Sequence, residues 1–236
     1  MSGEHQSEGL KVVEFFGVPG VGKSYLVRTA VSANIARPMD RFSQGGRVQR
    51  FRRKVWLMLR HLPKAVSSTL WARKLISLYP AMGSRRWWKV LFNWVFLDCL
   101  IREAARCRTP VLVLDQGIAQ ALWSTQFGAG GRCPTEEVRT PLRRYLEGLP
   151  ISEWAVVRVT APPEIVKKRV EGREGFSPVD RDPGSMDEAR CAERQVGEVL
   201  TGLARGAEGA PSIRIVNLVN DDDRAVSRLR EVMGWT

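Results

Sequence analysis

The 236 residues are 44% apolar and 26% charged, enough to bury one α/β core with one inserted subdomain. No run reaches the ~18 consecutive apolar residues of a membrane span, and residues 1–10 lack a signal peptide's apolar core. Net charge is +12, all of its excess local: 13 Lys or Arg and no Asp or Glu lie between Arg41 and Lys89, leaving 24 basic against 25 acidic residues elsewhere. Cys99, Cys107, Cys133 and Cys191 form no CxxC pair, and His5 and His61 are the only histidines. That pattern reads as free thiols in a reducing cytoplasm and argues against a histidine-based metal site or triad.

Residues 1–10 are polar and read as a disordered N-terminus. Residues 11–16 (KVVEFF) read as a buried strand ending in a glycine-rich turn, with a helix from Gly22 to about Ala33. Residues 35–40 suggest a short second strand interrupted by Pro38. Residues 46–106 are helical in pattern: Val48, Phe51, Val55, Met58, Leu59 and Leu62 recur at three- and four-residue steps, an apolar stripe expected to pack inward together with Trp71, Trp87, Trp88 and Trp94. Pro63 should end or kink the first helix, Pro80 to Gly83 the next, and a third should span 84–106.

Residues 111–114 form a second apolar strand ending at Asp115-Gln116-Gly117. Thr135 reads as the N-cap of a helix reaching about Leu146. Residues 154–159 (WAVVRV) are a third strand, with Pro163 in the first turn of the next helix. Ser185 and Glu188 form a capping-box pair for a helix to about Leu203. Residues 213–218 are the last strand, and Asp221-Asp222-Asp223 precede the terminal helix. Strands alternating with helices imply a parallel sheet covered on both faces.

Gly17-Val18-Pro19-Gly20-Val21-Gly22-Lys23-Ser24 matches GxxxxGK[ST], placed as that motif requires between a strand and a helix. Glycines let backbone N–H groups surround phosphate oxygens at the positive end of a helix. Lys23 then supplies charge to the outer phosphates of ATP, Ser24 a hydroxyl to Mg²⁺, and Tyr25 closes the nucleotide-contacting stretch. Ser43-Gln-Gly-Gly46 looks like a transporter signature but lies too near the loop. Val111-Leu-Val-Leu-Asp115 has the form of a Walker B strand, whose carboxylate can hold Mg²⁺ through water or take a proton from an acceptor hydroxyl. Gln116 and Gln120 follow, within reach of an acceptor. Arg169 and Arg173 fall at i and i+4 of one helix and can close over a transferring phosphoryl; the adjoining stretch 174–184 has lid-like Gly and Pro content and adds Arg181. Asn217 to Asp223 follows the last strand, where backbone groups can flank an adenine ring.

The glycine loop, Asp115, the APPE-x₄-R-x₃-R stretch from Ala161 to Arg173 and the terminal loop together resemble the nucleoside-monophosphate-kinase-like P-loop kinases, and thymidylate kinases most closely. The resemblance implies a three-layer α/β sandwich on a five-stranded parallel sheet, a helical acceptor and lid insertion, Mg-ATP as donor, and lid arginines on the phosphates. Asp115-Gln116 departs from the Asp-Arg pair of that family, and the basic, Trp-rich helices exceed its acceptor region, which points away from thymidylate itself.

The expected organisation is a kinase core of residues 11–45 and 107–236 with a basic helical insertion at 46–106. The expected function is transfer of the γ-phosphoryl of Mg-ATP to a small, anionic acceptor. Lys23, Asp115, Arg169 and Arg173 would be catalytic, and Ser24 and Asp115 the metal ligands. The alternative is a P-loop ATPase or nucleotide sensor whose basic helices dock a membrane, nucleic acid or protein. No nucleic-acid motif accompanies those helices, so an anionic membrane surface is the stronger macromolecular candidate.

Overall fold

Four apolar runs form an all-parallel sheet in the computed structural model, which describes residues 9–30, 46–79, 83–127, 135–171, 184–205, 211–221 and 224–234. The strands are β1 (Leu10–Phe16), β2 (Val111–Leu114), β3 (Ile151–Thr160) and β4 (Ser212–Val219), in spatial order β2-β1-β3-β4. Strands of near-continuous apolar sequence suit the centre of such a sheet, where both faces are covered. Accordingly β1 buries every residue but Lys11, whereas the edge strand β4 is largely half-buried or exposed.

The helices are α1 (Lys23–Ala30), α2 (Arg47–Ser77), α3 (Ser84–Arg106), α4 (Ile118–Phe127), α5 (Thr135–Glu147), α6 (Pro163–Glu171), α7 (Gly184–Ala204) and α8 (Ala225–Met233). The chain steps from β1 to β2 in one direction, then back past β1 to β3 and on to β4. Right-handed crossovers place connections of opposite direction on opposite faces. In keeping with that, α1 packs with α8, and α4 packs with α7 and touches β1. Helix α5 joins α7 and carries the α2–α3 pair. Arg102 fixes that junction: it pairs with buried Asp98 at 2.8 Å and donates to Ser68 Oγ at 3.0 Å and Gly148 O at 2.7 Å.

The described residues form four strands where five were expected; residues 35–40, the candidate for the fifth, lie outside them. Leu10, expected in the disordered N-terminal stretch, belongs to β1, and residues 1–8 of that stretch lie outside the described residues. Pro63 does not end its helix, because α2 runs through it from Arg47 to Ser77. The apolar stripe of α2 is the main correction. Val48, Phe51, Leu59 and Leu62 are exposed, and Val55 and Met58 only half-buried. The buried face is a second series, Leu57, His61, Ala65, Ser68, Ala72 and Ile76, again at three- and four-residue steps. Its small members let the helix lie close to its neighbours. Of the four tryptophans assigned to the core, Trp94 is fully buried, Trp71 and Trp87 lie against it, and Trp88 is exposed.

Candidate functional site

Neighbouring strands β1 and β3 send their chains off in opposite directions, and in parallel sheets the crevice at their carboxyl ends is where ligands bind. Loop 17–24 leaves β1 there. Gly17, Gly20 and Gly22 have φ of 151°, 92° and 92°, a region closed to most other residues. Space excludes side chains as well: a Cβ on Gly17 would lie 2.3 Å from the Val159 carbonyl of β3, and one on Gly22 would lie 2.3 Å from Asn220 Nδ2. The glycines thus set both the turn of the loop and its closeness to β3 and the loop after β4.

Val18 and Val21 are buried and anchor the loop, while Tyr25 is exposed. Lys23 opens α1, and its ammonium donates to the carbonyls of Gly17 at 2.7 Å and Val18 at 3.2 Å, folded back across the loop. Ser24 donates its hydroxyl to Asp115 Oδ2 at 2.7 Å, joining the loop to the end of β2. Asp115 Oδ1 is buried and has no hydrogen-bond partner among the described residues. A carboxylate with one oxygen on a serine hydroxyl and the other unsatisfied fits a hard cation completed by water. Among the described residues no group of three or more His, Cys, Asp and Glu could hold a metal, so the Ser24–Asp115 pair is the candidate.

Two side chains brace the loop from behind, meeting on the Val21 carbonyl. Asn220 donates to it at 2.6 Å and Arg169 at 3.2 Å. Asn220 is buried, and its own N–H donates to Thr160 O at 2.7 Å. Arg169 therefore stands at the loop. Arg173, Arg181, the stretch 174–183 and Asp222-Asp223 lie outside the described residues. Gln116 is exposed; the Gln120 side-chain oxygen is buried without a partner.

Beside the loop a cavity of about 440 Å³ opens between β3 and α7, lined by Val18, Val21, Thr160, Arg158, Arg190 and Arg194 among others. Arg158 is neutralised by Glu193 at 2.7 Å. Arg190 and Arg194 sit at i and i+4 of α7, adding two cations to the lining, against the one further carboxylate of Asp187 in the first turn of the same helix.

Glu14 was not anticipated from the sequence. It lies fully buried on β1, and its carboxylate accepts the backbone N–H groups of Gly117 (3.1 Å), Ala119 (3.0 Å) and Gln120 (2.8 Å) and the indole N–H of Trp154 (3.3 Å). It caps α4 from across the sheet and so fixes the turn that follows Asp115. Burial pushes its pKa up to about 7 despite those four donors. The available signal was one carboxylate inside the apolar run KVVEFF, since a charge on a central strand must find donors.

No protein-family model matches the chain, and no curated protein matches it in sequence.

Proposed function

We propose that the chain is an ATP-dependent phosphotransferase of the P-loop sandwich type, acting on a small anionic acceptor. The observation that carries this reading is the 2.7 Å contact of Ser24 with Asp115, whose second oxygen is buried and unpaired, at the mouth of a loop that only glycines can form. Mg-ATP held there would supply the transferable phosphoryl group. On this reading Lys23 leaves the Gly17 and Val18 carbonyls for phosphate oxygens, and Ser24 and Asp115 hold the cation. Arg169, together with Arg173, neutralises charge as it builds on the phosphoryl oxygens. Val18, Pro19, Gly20 and Val21 shape the cradle. With Arg158 paired to Glu193, Arg190 and Arg194 outnumber Asp187 in the lining of the 440 Å³ cavity, a size and a net positive sign that suit a small anionic acceptor.

Lys23→Ala is the direct test, because the half-buried side chain aims its ammonium at loop carbonyls and lies outside the apolar core. Transfer of labelled phosphate from ATP to a metabolite pool should fall by roughly 10² or more, with circular dichroism unchanged. Equal turnover in a folded Lys23→Ala protein would sink the proposal. Labelled phosphate released only to water would identify an ATPase instead.

A further inference from the structure

Helix α2 carries two apolar faces, and only one is used by the fold. Leu57, Ala65, Ala72, Leu75 and Ile76 are buried against the rest of the chain. A second series faces solvent: Leu59 (66% exposed), Leu62 (42%), Val66 (50%) and Leu70 (60%), in register with half-buried Val55 and with Phe51 (59%), whose ring also stacks on Phe92 of α3 at 6.2 Å, and with Trp56 (60%) alongside. Steps of three and four residues hold this series on one stripe for about five turns. So long a row of aliphatic and aromatic side chains exceeds the scattered exposed apolar residues of an ordinary surface.

Charge decides what can cover it. Arg52 and Arg73 fall within the stripe by spacing, and Arg60 and Lys64 follow Trp56 at i+4 and i+8; all four are exposed. Arg60 lies over the Trp56 ring at 5.2 Å, which holds the cation beside the apolar row. No acidic residue occurs from 41 to 89. Glu103 of α3 pairs with Arg60 at 3.5 Å, but a second copy would still bring the same strongly positive segment against this one, a repulsive pairing. Nucleic acid would answer the charge but leave the aliphatic row uncovered. An anionic bilayer answers both: apolar side chains enter the acyl boundary, Trp sits at headgroup level, and Arg and Lys meet the lipid phosphates.

We infer that the outward face of α2 is a docking surface for anionic lipid bilayers, on which the protein lies without crossing. Among the described residues no helix is long and apolar enough to cross a membrane. The inference rests on this surface alone and is independent of the nucleotide reading.

Cosedimentation of the full chain with vesicles tests it. The protein should pellet with phosphatidylglycerol mixed into phosphatidylcholine and stay in solution with phosphatidylcholine alone. Its tryptophan emission should shift to the blue on binding, and raised salt should weaken the partition. The variant Leu59→Gln/Leu62→Gln/Val66→Gln alters exposed positions only, so it should fold, as circular dichroism can verify. Its partition onto the anionic vesicles should fall by roughly 10². Wild-type protein left in solution with the anionic vesicles would overturn the inference. Equal pelleting of the triple variant would overturn it too, because charge alone would then explain binding. A wild-type dimer that the triple variant dissolves, seen in sedimentation equilibrium, would assign the face to a second copy.

Discussion

Glu14 titrates near 4.5 when exposed and at about 7 in its buried place on β1. Between those values the folded chain keeps a proton that the unfolded chain has lost. The contribution is therefore fully present below the unfolded pKa and is lost as pH rises through the folded one. Its size is roughly 3 kcal/mol over that window, at about 1.4 kcal/mol per pH unit. Urea melts should show wild-type protein losing that much more stability between about pH 5 and pH 8 than Glu14→Gln does. Equal pH dependence in the two proteins would mean that another group is responsible. The Gln variant should also be weaker overall, since its amide nitrogen would face N–H donors. Local geometry was legible where a short stretch of chain makes the feature, as in the glycine turn from Gly17 to Ser24 or Asp115 at the end of its apolar strand. It was illegible where partners lie far apart: Glu14 meets Gly117 across 103 positions, and Asn220 meets Val21 across 199.

Elements were read well where one periodicity has one outcome. The strand at 111–114 and the helix at 84–106 appear where expected, and β3 and β4 extend the expected runs by one to three residues at their ends. Helix α2 shows the limit, because a three-to-four period says that a face is apolar without saying which of two apolar faces packs. The loop's brace belongs to the same scale, joining the loop after β1, helix α6 and the loop after β4 on one carbonyl. Asn220→Ala removes a 2.6 Å bond from Val21 O and leaves Arg169 as its described side-chain donor. On the proposed reading Mg-ATP affinity should fall about fivefold to tenfold, the worth of one hydrogen bond of roughly 1 kcal/mol. Adding Arg169→Ala should cost more than the sum of the two single changes, since either donor alone can satisfy the carbonyl. Calorimetric titration checks both, and wild-type affinity in folded Asn220→Ala would show the brace to be dispensable.

Across the whole molecule, the proposed site is gathered from four stretches of chain: loop 17–24, Asp115 after β2, Arg169 on α6 and Asn220 after β4. An unfolded chain cannot assemble them, so a ligand that grips them stabilises only the folded state. Ligand at a hundredfold excess over its dissociation constant adds about 2.7 kcal/mol. In a domain of this size each kcal/mol moves the melting point by about 2–4 °C, so Mg-ATP should raise it by roughly 5–10 °C. Two controls tie the rise to the geometry. Chelating Mg²⁺ should remove a large part of it, because Asp115 Oδ1 is then left buried and unpaired beside the triphosphate charge. Asp115→Asn should show a smaller rise that no longer responds to Mg²⁺, since the amide keeps a partner for the Ser24 hydroxyl but loses the charge that holds the cation. Absence of any rise in wild-type protein, or a rise indifferent both to chelation and to Asp115→Asn, would remove the metal-assisted reading of the site.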